Sequence, residues 1–373
     1  MSRAALAPTA ARASKLRVMV VDDAVVFRGL VTRWLSQEPD MEVVGAHRNG
    51  HEAVENFSRI DPDIVVLDIE MPVLDGLATL PLLLAQKRDL TVIISSTVTR
   101  RNAEIGIRAL SLGAADYVSK PETNRELTTS PDFRRELIQR IRTLGWRAQE
   151  KLARAVGLPV PFATAPRAEA FKLRPWSPVR PRVLAIGAST GGPQALQVLL
   201  KGLDQVLRQL PVVITQHMPQ TFTTILAEHL ARATGRPAHE GMLGETLTPG
   251  TLYVAPGGRH MLLERAGEQV KIEVNDDPPV RFCRPSVDPL FASAASIFGP
   301  AALAIMLTGM GTDGVAGAVA IANAGGTVIA QDETSSVVWG MPGAVAEAGV
   351  CAGVLPLDAI APRVLELMAG AAR

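Results

Sequence analysis

A serine set among small residues, Gly187-Ala188-Ser189-Thr190-Gly191, ends the apolar run RVLAIG and precedes Pro193, which opens an Ala/Leu-rich helical pattern. That spacing predicts a strand-to-helix turn with the Ser189 hydroxyl exposed beside backbone N–H groups suited to an oxyanion. The same string also reads as a plain glycine-rich turn, or as a phosphate-binding loop in which the serine is incidental. A serine hydroxyl is a weak nucleophile until a base takes its proton, so a histidine has to lie close by. The chain has six histidines. His47 and His51 belong to the first half, His229 to the helical pattern TFTTILAEHLARA, His239 to a polar loop, and His260 to the approach to a hairpin strand. His217 instead follows the apolar run PVVITQ. Functional groups gather beyond the carboxyl ends of parallel strands, and that rule puts His217 on one rim with Ser189. For the carboxylate that orients the imidazole, Asp313 in LAIMLTGMGTDG and Asp332 after TVIAQ both satisfy the rule, with Asp313 slightly ahead. Asp276, Asp277 and Asp288 compete from loops.

A second set of reactive residues lies nearer the N-terminus. Asp22 and Asp23 follow the run LRVMVV, Asp68 closes DIVVLD, Ser95 closes TVIIS, and Lys120 closes DYVSK. Three carboxylates held together repel one another and call for a cation. Oxygen-only ligands with room for water suit Mg²⁺. Lys120 adds a point charge for a phosphoryl oxygen, and the Ser95 hydroxyl can donate to another.

These residues need scaffolds. From Leu16 to about Glu122, short apolar runs (LRVMVV, MEVVGA, DIVVLD, TVIIS, DYVSK) alternate with amphipathic stretches such as VVFRGLVTRWLSQ and GHEAVENFSRI. The pattern predicts an α/β domain with a five-stranded parallel sheet covered on both faces. A helix is expected next, with Ser130 as N-cap, Pro131 first, and Phe133, Leu137, Ile141 and Leu144 on one face. A Pro/Arg-rich linker follows, so that residues 123–181 read as helix plus linker. From Arg182 to the C-terminus the runs RVLAIG, PVVITQ, TLYVAP, ALAIMLTG, GTVIAQ and GVCAGVLP predict a second, doubly wound and mostly parallel α/β domain. HMLLERAGEQVKIEV reads as one antiparallel hairpin turning at Ala266-Gly267. Residues 1–15 are Ala/Arg-rich, without acids or an apolar core, and are expected to be a disordered tail.

The strings VVDDAVVFR, LDIEMPVLDG, IISS and ADYVSKPE resemble the receiver domain of two-component response regulators over residues 16–122. The resemblance implies a flavodoxin-like fold in which Asp68 accepts a phosphoryl group from a histidine kinase. Asp22 and Asp23 then help Asp68 hold Mg²⁺, Lys120 contacts the phosphate, and Ser95 and Tyr117 form the switch pair. The strings IGASTGGPQAL, TQHMP, FCRPSVDPLF, LTGMGTDG and QDETSSVVWGMPGAVAEAG are similar to the catalytic domain of chemotaxis methylesterases over residues 182–373. That likeness implies Ser189 as nucleophile, His217 as base and acid, and Asp313 as the orienting carboxylate. It also implies the backbone N–H groups of Thr190 and Met310 as oxyanion hole. The implied reaction is phosphorylation-regulated hydrolysis of glutamate γ-methyl esters on chemoreceptors, with deamidation of receptor glutamines and no cofactor in the catalytic domain. One phosphorylatable module joined to one catalytic module further suggests that the unphosphorylated receiver gates the Ser189 rim.

Composition narrows the remaining classes. The 373 residues carry a net charge of +1, which offers no general attraction to nucleic acid, and the second half shows no basic recognition helix. A nucleotide-binding reading of Gly187–Gly192 lacks the full GxGxxG spacing and leaves His217 and Asp313 without purpose. No stretch reaches the roughly 18 uncharged apolar residues that span a bilayer, so direct membrane insertion is not expected. The two cysteines, Cys283 and Cys351, have neither disulfide-framework nor metal-ligand spacing. Both read as small buried apolar residues, and the expected compartment is the cytoplasm.

Overall fold

The computed structural model describes residues 15–97, 99–121, 131–155 and 171–370. Almost all of the expected tail, and the expected cap Ser130, lie outside them. The chain divides into two compact units.

The first is built on strands β1 (Leu16–Val21), β2 (Met41–His47), β3 (Ile64–Asp68), β4 (Thr91–Thr97) and β5 (Asp116–Lys120). Between and after them run α1 (Val25–Ser36), α2 (Gly50–Ile60), α3 (Gly76–Gln86) and α5 (Pro131–Ala155), while α4 (Arg100–Ser111), between β4 and β5 in the chain, groups with the second unit. All strand pairs are parallel, in the order β2-β1-β3-β4-β5. That is the flavodoxin-like order, whose switch point falls between β1 and β3. β3 reads IVVLD without alternation because it is buried on both faces. Helix limits follow local chemistry: the Asn49 side chain accepts from Glu52 N–H at 2.9 Å to start α2, and Asp75 accepts from Ala78 N–H at 2.8 Å to start α3. On α5, Phe133, Leu137, Ile141 and Leu144 are all buried, as their spacing predicts. Phe133 packs against Phe27 and Trp34 of α1, with ring centroids 6.0 and 6.2 Å apart.

The second unit carries a seven-stranded, wholly parallel sheet in the order β14-β13-β12-β6-β7-β9-β8. Its strands are β6 (Val183–Ala188), β7 (Val212–Gln216), β8 (Ala238–Glu240), β9 (Leu252–Val254), β12 (Ala302–Met306), β13 (Thr327–Gln331) and β14 (Gly353–Leu355). β8 has no counterpart among the predicted runs; three residues, AHE, give too little apolar pattern to read. The predicted hairpin forms as β10 (His260–Ala266) and β11 (Gln269–Asn275), in a two-stranded sheet of its own. Ala266 pairs with Gln269, so the loop is Gly267-Glu268, one residue later than predicted. Gly267 takes φ 63°, the left-handed conformation such two-residue loops need first.

The helices of this unit are α6 (Gly192–Lys201), α7 (Asp204–Leu207), α8 (Phe222–Thr234), α9 (Val287–Phe298), α10 (Val315–Asn323), α11 (Met341–Glu347) and α12 (Leu357–Ala369). One core joins Ala185 and Ala304 of the sheet to Leu290 and Phe291 of α9 and to Ala318 and Ile321 of α10. Residues 171–181 pack on this unit too: the Phe171 ring lies 5.6 Å from Trp339, and Arg363 sits 4.1 Å over Trp176.

Leu137 is fully buried on α5, so Leu137→Ala is expected to lower stability by about 2–5 kcal/mol in urea titration. An unchanged midpoint would show that α5 does not contribute to the core of the first unit.

Candidate active site and acidic cluster

The sheet order of the second unit decides what meets what. β6 lies between β12 and β7, the point where the chain's winding reverses. A crevice opens there beyond the strand ends. Ser189 follows β6, His217 follows β7, and Asp313 follows β12 after a glycine-rich turn. Ala188 pairs with Gln216, and His217 N–H donates to the Ala188 carbonyl at 3.1 Å, so positions 189 and 217 are neighbours across adjacent strands.

His217 Nε2 lies 2.7 Å from Asp313 Oδ2. Asp313 is 2% exposed and accepts further bonds from Ser286 Oγ (2.7 Å), Val287 N–H (2.7 Å) and Asp288 N–H (3.3 Å). The last two open α9, so the carboxylate rests on a helix N-terminus. Burial by itself would raise its pKa, but the bond from His217 and the Val287 and Ser286 donors outweigh burial and hold it below the ordinary carboxylate value. Asp332, the other aspartate on the rim, is engaged elsewhere: its carboxylate accepts from Ser335 N–H and Oγ at 2.9 and 2.6 Å. Asp288 accepts from Gly317 N–H near the start of α10, and Asp276 pairs with Arg259. Of the other histidines in this unit, His239 pairs with Glu245 and His260 faces the Pro278 carbonyl.

With Nε2 committed to Asp313, Nδ1 is the nitrogen left to act as base. It faces Cys283 Sγ at 3.6 Å. Among the described residues no hydrogen bond reaches the Ser189 hydroxyl, so a serine–imidazole contact would have to tighten on substrate binding. Burial of the His217 ring lowers its pKa, yet the Asp313 hydrogen bond and the Cys283 sulfur more than compensate and bring it to about 9.

Ser189 itself is held by its backbone. Its N–H donates to the Thr308 carbonyl at 3.0 Å, and its carbonyl accepts from Gln216 Nε2 (2.8 Å) and Gly192 N–H (2.7 Å). Gly191, at φ 75°, lets the chain turn into α6 with Thr190 just behind the serine. Met310 lies on the turn after β12, next to Gly309, where an added Cβ would come within 2.9 Å of Ser189 Cβ. The turn bearing Met310 is therefore in direct contact with the serine.

Sequence reasoning missed Cys283, Ser286, Gln216 and Thr308. Cys283 corrects an expectation: Cys351 is buried, but Cys283 is partly exposed and lies against His217 Nδ1. Its neighbours are unusual as well. Val280 and Cys283 exchange both backbone hydrogen bonds, closing a tight turn whose central residues, Arg281 and Phe282, have φ 50° and 65°. This pattern normally takes Asn-Gly, and each non-glycine residue so placed costs about 1–3 kcal/mol. The Arg281 guanidinium ties the turn to the site by donating to Thr312 Oγ1 at 2.8 Å.

In the first unit the strand register does similar work. Asp68 pairs with Ser95, and Asp22 and Asp23 follow β1 at the switch point. Carboxylate oxygens of Asp22, Asp23 and Asp68 lie within 4.8 Å of one another. Lys120 Nζ bridges Asp22 at 2.6 Å and Asp68 at 2.7 Å. Burial, aided by the like charge of Asp22, lifts Asp68 to about 6 against the pull of Lys120. Ser95 Oγ is buried without a hydrogen-bond partner among the described residues, an orphan that an incoming oxyanion would satisfy. Tyr117 is buried on β5. The all-oxygen donor set and the orphaned hydroxyl fit a divalent cation and a phosphoryl group.

A parallel sheet ending in a lysine-clamped carboxylate cluster, followed by one carrying serine, imidazole and carboxylate on its rim, defines a receiver joined to a hydrolase domain. Comparison with known proteins agrees. Residues 184–364 match the CheB methylesterase family, and residues 18–131 the response regulator receiver domain family. A protein-glutamate methylesterase/protein-glutamine glutaminase of group 2 operon from Rhodopseudomonas palustris is 54% identical, covering 98% of this chain and 97% of its own. A protein-glutamate methylesterase/protein-glutamine glutaminase from Nitrobacter hamburgensis is 56% identical, covering 96% of each. The crystal structure of the Thermotoga maritima CheB methylesterase catalytic domain is 38% identical, with a TM-score of 0.49, over 51% of this chain and all of that one. This chain belongs to the protein-glutamate methylesterase/protein-glutamine glutaminase family.

Two outcomes follow from the geometry. An imidazolium cannot accept a proton, so with His217 as the base the active form would be the one present above its pKa. Log kcat/KM for a small ester is expected to fall one decade per pH unit below about 9; a plateau extending below pH 7 would place the base elsewhere. A maleimide adduct on Cys283 would crowd Nδ1 and is expected to cut hydrolysis by roughly 10²-fold or more. Cys283→Ala should be resistant to the reagent, and equal inactivation of this variant would exclude the contact as the cause.

Proposed function

We propose that this protein hydrolyses γ-methyl esters of glutamate side chains on chemoreceptors, releasing methanol, and deamidates receptor glutamines by the same route. Ser189 Oγ attacks the ester carbonyl while His217 Nδ1 takes its proton. Asp313 holds the ring and stabilises the imidazolium. The developing oxyanion is received by the backbone N–H groups of Thr190 and Met310; one such donor is worth roughly 3–4 kcal/mol in the transition state. His217 then gives its proton to the leaving methoxide, or to the leaving amide nitrogen in deamidation. Water repeats the cycle on the acyl-serine, freeing the glutamate and restoring the hydroxyl. The observation that carries this reading is the 2.7 Å bond between His217 and Asp313, formed beside Ser189 at the switch point.

The receiver makes the reaction answer to a signal. Asp68 is the phosphoryl acceptor from a chemotaxis histidine kinase, and Asp22, Asp23 and Asp68 would hold Mg²⁺, which offsets the charge of the transferring group. Lys120 holds a phosphoryl oxygen, and Ser95 with Tyr117 registers the new charge. Among the described residues no helix is long and apolar enough to cross a membrane. The proposed setting is the cytoplasm, where the enzyme meets the cytoplasmic parts of its receptors.

Methanol release from methylated receptor tests the whole reading. Wild type is expected to release it and Ser189→Ala to be slower by about 10³-fold or more. Asp68→Ala should keep the unstimulated rate but lose stimulation by a small phosphoryl donor with Mg²⁺. Full activity of the serine variant would refute the mechanism.

A further inference from the structure

The turn at Val280–Cys283 is more strained than its position requires. Its two central residues both adopt left-handed backbone angles that glycine or asparagine would take without penalty. Several residues around Phe282 are tied to His217 and Asp313. Cys283 touches the His217 ring, Arg281 donates to the residue preceding Asp313, and Ser286 to Asp288 supply three bonds to Asp313. Phe282, at the tip, is 94% exposed, the most exposed large apolar side chain among the described residues. A loop anchored so firmly on the site, yet strained to hold an aromatic outward, stores its strain at the place where substrate arrives.

We propose that the Arg281-Phe282 tip is a substrate clamp, with Phe282 packing on the apolar surface of the receptor helix beside the ester to be cleaved. The proposal rests on the methylesterase reading and adds to it the source of selectivity for a protein substrate. A γ-methyl ester offers few atoms to bind, so most binding energy has to come from contacts away from the reacting bond. An aromatic ring supplies large contact area with few rotors to fix.

The test compares wild type with Phe282→Gly, Phe282→Asn and Phe282→Tyr on two substrates, methylated receptor and p-nitrophenyl acetate. For the Gly and Asn variants the ratio of receptor to small-ester kcat/KM is expected to fall roughly tenfold, mainly through KM. Melting temperatures should equal or exceed that of wild type, because both residues accept the left-handed angle. Phe282→Tyr should restore the ratio. A purely structural turn would instead lose both substrates together and melt earlier, and that result overturns the clamp. So does methanol release with the same receptor KM in all four proteins. A wild type that releases no methanol would refute the methylesterase reading instead.

Discussion

The proposed catalytic arrangement depends on keeping one carboxylate ionised inside the protein. Asp313 is nearly inaccessible to water, and an unpaired charge there would cost several kcal/mol. Four donors replace the water: the imidazole, a serine hydroxyl and two backbone N–H groups at the mouth of α9. Three of the four come from one segment, 286–288. The Ser-Val-Asp stretch therefore fixes the carboxylate, the carboxylate fixes the imidazole through Nε2, and Nδ1 is left pointing at the reaction space. If that N-terminus moved, the ring would lose its orientation even with every triad residue in place.

The two units solve the same problem with different chemistry. Each uses a parallel sheet to bring residues distant in sequence to adjacent strand ends, and each has its reactive residue just where the winding reverses. In the first unit the clustered charges are carboxylates, and Lys120 offsets only part of the cost of burying them. In the second, the Asp313 charge is met by the imidazole, a hydroxyl and protein dipoles, with the Asp288 carboxylate as a like-charged neighbour. The first cluster is thus suited to gain a cation and a phosphoryl group, and the second to shuttle a proton.

Much of this was legible in the sequence because strand ends are legible. LRVMVV, DIVVLD, RVLAIG and PVVITQ are buried runs whose last residues can be counted, so Asp22, Asp68, Ser189 and His217 could be placed on rims before any coordinates. Separating Asp313 from Asp332 was harder, since both follow buried strands. The difference lies in what surrounds them: Asp332 satisfies itself on Ser335, three residues away, whereas Asp313 needs partners from 26 and 27 positions earlier. Cys283 and the strained turn left no periodic signal. Their role comes from a loop folding back on His217, 66 residues away, and such returns have no pattern in the chain.

The three residues of the proposed triad stem from the three central strands of a seven-stranded sheet, while the edge strands β14 and β8 have only three residues each. Proteins open first at such margins, in small cooperative steps that leave the middle protected. Breathing at either border is thereby insulated from the chemistry, and the enzyme can stay competent while its periphery exchanges with solvent.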